Sequence, residues 1–251
     1  MEMAMDTRQD NPRLTLFDKQ VFDIFIKPGE VVEVRIPHPE GTLEGKYIRV
    51  TVSGYFDNHE AFCEAVKKAE ALRHDGIYFT IQVIDPRLLA RAFNRLKVLK
   101  PGEATTSDNN VLFYRWLPLD FDPVRPSGIS SSDSELREAL TLRDTVSQWI
   151  IENLHFPKPI KAMSGNGGHS LFRLPDLPVN KDNTAFIKNT LEGLAQQFNT
   201  DKVTIDTKVF NPARIFKVYG TLASKGDELP ATQYREARPF RIAYIEDLGG
   251  D

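Results

Sequence analysis

Asp120 and Asp122 stand two residues apart in the run Trp116-Leu117-Pro118-Leu119-Asp120-Phe121-Asp122. Period-two alternation sends Leu117, Leu119 and Phe121 to one face of a strand, and Trp116, Pro118, Asp120 and Asp122 to the other. Two like charges this close repel, and each resists burial without a counter-charge. A divalent cation supplies one, and hard oxygen ligands at this spacing suit Mg²⁺ or Mn²⁺ better than Zn²⁺. An acidic pair is also an ordinary way for a strand to end at a turn. The other residues with chemical reach must decide between the two.

Ser164-Gly165-Asn166-Gly167-Gly168-His169 is the next such group. Its glycines permit positive φ and let backbone N–H groups approach an anion closely. Ser164 adds a hydroxyl and His169 an imidazole, and a phosphate chain is the natural guest. Asn-Gly is equally a strong hairpin signal. No Gly-Lys-Ser/Thr follows, so this is not a P-loop. A third carboxylate, Asp206, ends the alternating run Val203-Thr204-Ile205-Asp206, and Arg214, Lys217 and Lys225 follow it. An arginine fork and lysine point charges beside an acid suit a polyphosphate. If Asn211-Pro212 caps a helical turn, Arg214 and Lys217 share a face; in a strand they do not. Together these groups match one reaction plan. Carboxylates hold two metal ions that activate a 3′-hydroxyl and stabilise a pyrophosphate leaving group, while cations and a glycine-rich turn hold the triphosphate.

The elements that must position these residues follow from periodicity. Leu14 to Ile26 has helical spacing and stops at Pro28-Gly29. Val31 to Ile36, Tyr47 to Ser53 and Ile77 to Ile84 read as strands. A helix is expected from Asn58 to Arg73, and a short one after Asp85-Pro86 with Leu88, Leu89, Ala92, Phe93 and Leu96 turned inward. Lys100 to Asn110 is polar and marks the boundary between an N-terminal α/β lobe, 13–105, and a second lobe, 106–251; residues 1–12 are expected to be disordered. In the second lobe the acidic strand leads to a helix capped by Ser132 with Glu135 three residues on, a capping-box spacing. Strands flank the glycine turn, a helix carries Phe186, Ile187, Leu191, Leu194 and Phe198, and two or three strands lie between Val203 and Ile245. The fold class is α+β.

At 251 residues, with 41% hydrophobic and 27% charged residues, the chain has the composition of a soluble globular protein able to bury a real core. Its net charge of −3 provides no global basic field, so any nucleic-acid contact must come from a local patch. Cys63 is the single cysteine, which excludes an internal disulfide and a cysteine-rich zinc module. No apolar run reaches membrane-spanning length and no signal-peptide core opens the chain, so a cytoplasmic protein without a membrane partner is expected.

The chain resembles the archaeo-eukaryotic primase superfamily, and within it the primase-polymerase catalytic domains of phage, plasmid and CRISPR-associated replication proteins. The resemblance is carried by the strand ending in Asp120 and Asp122 with its Pro-Val-Arg-Pro-Ser-Gly-Ile tail, by Ser-Gly-Asn-Gly-x-His, and by the strand ending in Asp206. Gly76 to Thr80, Leu89 to Leu96 and Arg214 to Gly226 are also similar, so it spans about Val32 to Arg241. It implies that Asp120, Asp122 and Asp206 are catalytic and ligate two Mg²⁺ or Mn²⁺ ions. Ser164, Gly165, Asn166 and His169 would meet the incoming nucleotide's triphosphate, assisted by Arg214, Lys217 and Lys225. Arg125 would anchor the turn after the acidic strand or reach a phosphate, and Tyr78 is the candidate sugar contact.

The implied fold is two-lobed, with an RRM-like catalytic sheet and flanking helices packed on a smaller α/β lobe. The implied function is a DNA primase and DNA-directed polymerase, a nucleotidyltransferase that extends and starts primers on a single-stranded DNA template with dNTPs or NTPs. It would act as a monomer, with a helicase or CRISPR adaptation proteins as wider partners in cis or in trans. Relatives often carry Asn-Pro after the Tyr-Phe-Thr strand; Gln82-Val83-Ile84-Asp85-Pro86 stands here, which removes the basis for a nucleotide contact from that loop. With no helicase, zinc-binding or priming domain after Arg241, the chain reads as a minimal enzyme or an excised core. A non-catalytic RRM-like nucleic-acid-binding module and a two-metal nuclease are the alternatives.

Overall fold

The computed structural model describes residues 13–250; the expected disorder of residues 1–12 lies outside the described residues. The first helix, α1 (Lys19–Phe25), is shorter than its apolar spacing suggests. Asp18 caps it by accepting from the Gln20 N–H, while Leu14 instead bonds Ile245 in both directions at 3.0 and 2.8 Å. Before the cap Leu14 is extended and Leu16 and Phe17 lie in a turn, an arrangement that helical periodicity could not distinguish.

Strands β1 (Val32–Ile36), β2 (Gly41–Leu43), β3 (Lys46–Ile48) and β4 (Val52–Phe56) follow. The expected strand over Tyr47 to Ser53 is thus split between a small hairpin and the main sheet. Helix α2 (His59–Glu70) starts where Asn58 accepts from the Ala61 N–H, and it buries Phe62, Ala65, Val66 and Ala69. Next come β5 (Tyr78–Thr80), β6 (Val83–Ile84), a 3₁₀ turn over Pro86–Arg91, β7 (Leu96–Val98) and the long β8 (Val111–Pro123). Helix α3 (Asp133–Leu154) begins with the anticipated Ser132–Glu135 capping box. Strands β9 (Ile160–Met163) and β10 (Gly168–Pro178) flank the glycine turn, and α4 (Lys181–Phe198) follows. Five strands close the chain where two or three were expected: β11 (Val203–Ile205), β12 (Ile215–Lys217), β13 (Leu222–Ala223), β14 (Arg241–Ile242) and β15 (Tyr244–Asp247).

Two antiparallel sheets dominate. One has the order β12-β5-β1-β4-β7; the other has β11-β8-β10-β9-β15, with β6 added to the start of β8. Within the second, β8-α3-β9-β10-α4-β11 is a βαββαβ unit with strand order 4-1-3-2, the split-βαβ arrangement that RRM domains share. The sheets exchange segments across residue 106: β6 comes from before it and β12 from well after it. The chain crosses between them at Gln82, whose buried amide donates to the Trp116 carbonyl and accepts from the Arg115 and Trp116 N–H groups at 2.7–3.1 Å. The single expected strand over Ile77 to Ile84 is therefore two strands in different sheets. Among the described residues, no helix is long and apolar enough to cross a membrane.

Between the sheets lies an aromatic seam. Phe25 contacts Phe79 and Trp116 at 5.4 Å each, and Tyr219 stands 6.2 Å from Phe79. One expected core residue is not there: Phe93 is 60% exposed. The chain turns over at Asn94, which has positive φ, so the helical face assumed for residues 88–96 never forms.

Arg115, 2% exposed, locks this junction by pairing with Glu30 at 2.6 Å and Asp176 at 2.9 Å and donating to the Phe25 carbonyl. Burial works against both carboxylates, but Arg115, together with Lys27 at Glu30 and Arg173 at Asp176, outweighs it and holds each below its ordinary pKa. A lowered carboxylate stabilises the fold above its unfolded pKa of about 4, and that contribution fades as pH falls through the folded value. Arg115→Met should lower stability near neutral pH by about 3 kcal/mol, because Glu30 loses its ion-pair partner and Asp176 keeps only Arg173. In urea titrations the wild type should lose more stability below about pH 4 than the variant does.

Candidate functional site

The acidic strand is placed as its alternation requires. Leu119 and Phe121 are fully buried, while Asp120 and Asp122 are partly exposed on the opposite face. That face is covered toward Trp116 by the aromatic seam and opens only at the aspartates. Strand pairing then decides what surrounds them. His169 of β10 lies directly across from Asp120. On the other side, Asp206, just past β11, donates its N–H to the Asp120 carbonyl at 2.8 Å. Three functional side chains thus form one row across three strands.

The row borders a cavity of about 340 Å³ between the two sheets. Its lining includes Asp120, Asp122, Asp206, Ser164, Asn166, His169, Arg214, Lys217, Lys225, Arg125 and Tyr78. Gly165 does not line it. Its backbone has positive φ, and a Cβ there would come within 2.2 Å of the Ala223 Cβ, so this glycine makes room for β13. Asn166 Oδ1 accepts from the Ser131 N–H at 2.9 Å and tethers the turn to the start of α3. Ser164 Oγ accepts from the Gly167 N–H at 3.1 Å and faces the cavity with its remaining hydrogen-bonding capacity.

The acids are under electrostatic load. The charge of Asp120, then burial, push the Asp122 carboxyl up to about 6. Arg125 offers only a distant offset, 3.8 Å from Asp122, because its guanidinium donates to the Ile129 and Pro123 carbonyls. His169 Nε2 lies 3.4 Å from Asp120 Oδ1, while Nδ1 bonds the Tyr219 hydroxyl at 2.9 Å. Burial raises the Tyr219 pKa far above normal, so its hydroxyl keeps its proton and can donate it to Nδ1, leaving the Nε2–H for Asp120. Asp206 is held by Arg214 at 2.7 Å.

Arg214 and Lys217 reach the same cavity by neither of the two routes set out from sequence. A 3₁₀ turn over Thr207–Phe210 precedes Arg214, and Lys217 sits on β12, directly across from Tyr78. Lys217 is 6% exposed, and its ammonium lies 4.4 Å from the Tyr78 ring centroid. Among the described residues, its one hydrogen bond runs to the Asp75 carbonyl at 3.4 Å. Burial, opposed by Asp75 and reinforced by Lys225, lowers its pKa to about 8. The amine occupies space that only glycine leaves open, since a Cβ on Gly76 would lie 1.8 Å from Nζ. Burial first, then Asp75 and Asp120, raise the Tyr78 phenol to about 12, so it stays neutral.

The cavity is therefore bipolar, acidic along β8 and cationic at Lys217 and Lys225. Among the described residues, no three His, Cys, Asp or Glu side chains are gathered as a ready-made metal site. The donor chemistry nonetheless fits a hard divalent cation: two carboxylates on one strand face repel each other, and a third is anchored by its backbone beside them. Sequence reasoning missed Tyr219, which fixes His169, Gly76, which admits Lys217, and Phe216, whose ring packs 4.8 Å from the His169 ring.

No protein family matches the chain by sequence, and no curated protein does. Among solved structures, the polymerase domain from Mycobacterium tuberculosis Ligase D in complex with DNA is similar, at 14% identity and a TM-score of 0.45, over 90% of this chain and 79% of that one. A likeness at that level bears on neither the chemistry nor the assignment of residues, which rest on the geometry above.

Proposed function

We propose that this chain is a metal-dependent nucleotidyltransferase that adds nucleotides to a 3′-hydroxyl opposite a DNA template and releases pyrophosphate, with de novo priming as a further activity. The observation that carries this reading is the division of one cavity into an acidic wall and a cationic end. A nuclease needs the acids but gives no reason to bury Lys217. A passive RNA-binding sheet presents aromatics to bases rather than a carboxylate row.

In this reading Asp120, Asp122 and Asp206 would hold two Mg²⁺ or Mn²⁺ ions. Such ions, when bound, supply Lewis-acid activation of the attacking hydroxyl and neutralise charge on the leaving group. His169 orients Asp120 from across the strand pair, with Tyr219 fixing its tautomer. Arg214, paired with Asp206 at 2.7 Å, stands where its guanidinium would also reach a phosphate of the incoming nucleotide. Lys217, Lys225 and the Ser164 hydroxyl hold the rest of the triphosphate, where negative charge grows during transfer. Tyr78 forms the wall against the sugar. The fold in this reading is the two-lobed one of primase-polymerases.

Primer extension on single-stranded DNA, with Mg²⁺ or Mn²⁺ and with dNTPs or NTPs, tests the proposal directly. Asp120→Asn plus Asp122→Asn should reduce metal-dependent, pyrophosphate-releasing synthesis by about a thousandfold or more. Nicked template in place of extended primer would establish the nuclease instead. The buried amine gives a second test. Lys217 is protonated below about pH 8 and neutral above it. The nucleotide KM should therefore rise as pH climbs through that value, and Lys217→Arg should flatten the rise because guanidinium keeps its charge. An unchanged profile in that variant would remove Lys217 from the triphosphate site.

A further inference from the structure

Residues 87–100, Arg-Leu-Leu-Ala-Arg-Ala-Phe-Asn-Arg-Leu-Lys-Val-Leu-Lys, carry five cations and no acid in a chain of net charge −3. They run from the 3₁₀ turn through β7, the edge of the first sheet farthest from β12. At about 4.8 Å per strand, that edge lies roughly 19 Å from the strand bearing Lys217. Arg87 pairs with Asp85 and Lys97 with Glu103, and Arg91 donates to the Ala104 and Thr105 carbonyls. Arg95 and Lys100 are exposed.

Phe93 sits in the middle of this strip, 60% exposed, and its exposure is built in. The residues on either side of it clasp Tyr55: the Ala92 carbonyl accepts from the Tyr55 N–H at 3.2 Å, and the Asn94 N–H donates to the Tyr55 carbonyl at 2.9 Å. Asn94 adopts positive φ, and its side chain bonds Asp57 in both directions. The ring is thus held outward by the hydrogen bonds that fix its neighbours to Tyr55 and Asp57 rather than left on a loose loop. Beside it a cavity of about 290 Å³ opens, lined by Tyr55, Arg91, Ala92, Lys97 and Leu99 and by Glu103, whose charge Lys97 pairs.

We infer that this edge is a docking track for single-stranded nucleic acid, with Phe93 stacking on one base, the adjoining cavity receiving a neighbouring one, and Arg95 and Lys100 facing phosphates. A fixed exposed aromatic among cations is what sequence-tolerant strand binding requires, and the charge of the strip complements a polyanion. The inference rests on the functional reading above only in assigning the strand as template.

Fluorescence polarisation of the whole chain with labelled oligothymidylate, in EDTA so that no metal-dependent step contributes, tests it. Phe93→Ala should weaken binding about tenfold, and Phe93→Trp should restore it. Arg95→Ala plus Lys100→Ala should make the slope of log affinity against log salt shallower by about 1.4. Wild-type affinity and slope in these variants would overturn the proposal. So would a cation-dependent affinity for polyglutamate that matches the oligonucleotide while Phe93→Ala changes nothing, which would assign the edge to an acidic protein. Phe93-dependent binding without any synthesis by the wild type would sink the enzymatic reading and leave this surface standing.

Discussion

The cavity exists because two short stretches of chain change sheets. After β5 the backbone leaves the first sheet at Gln82, which replaces strand pairing with three side-chain hydrogen bonds to β8, and continues as β6 in the second. Much later the chain leaves the second sheet after Asp206 and returns to the first as β12. These exchanged segments tie the sheets face to face, with the Phe25–Phe79–Trp116–Tyr219 seam filling the closed end. The open end is the cavity. Carboxylates on one sheet and an ammonium on the other can face a common ligand only because of this exchange.

Burial sets the chemistry of what faces that space. Asp122 and Lys217 are opposite in charge type, yet the neutral form of each is favoured, at Asp122 by the charge of Asp120 and then burial, at Lys217 by burial. A fold that buries charge without pairing it directly stores a preference for something that brings the missing counter-charge. Cations would relieve the carboxylates and an anion would relieve the amine. Under the proposed function, a metal-bound polyphosphate would do both at once. The Arg214–Asp206 pair and the His169–Asp120 contact are the internal substitutes while that preference is unmet.

Side-chain roles divide along similar lines. Asn166 and Gly165 stand in the motif that suggests an anion-holding turn, yet one tethers α3 and the other clears space for β13. Gly76, to which the sequence assigned no chemistry of its own, leaves open the space the Lys217 amine occupies. A residue's place in a motif records that a local conformation is required. Whether the requirement comes from a ligand or from packing depends on what lies across from it.

Local rules were enough to read much of this protein. Alternation placed Asp120 and Asp122 on one strand face, the Ser132–Glu135 spacing marked the start of α3, and the glycine turn was recognisable as the link between two strands. These depend on periods of two or 3.6 residues and on caps three residues apart, distances at which a sequence constrains itself. Tertiary structure alone decided that the face bearing the aspartates is an interface rather than a solvated surface, and that Arg214 and Lys217 meet them across a cavity. It also decided that Phe93 points outward and that Leu14 joins a strand instead of a helix. Each of these outcomes depends on a partner distant in sequence: Tyr78 for Lys217, Tyr55 and Asp57 for the Phe93 turn, Ile245 for Leu14. Apolar or charged character shows that a residue needs a partner, and only the folded chain determines which one it gets.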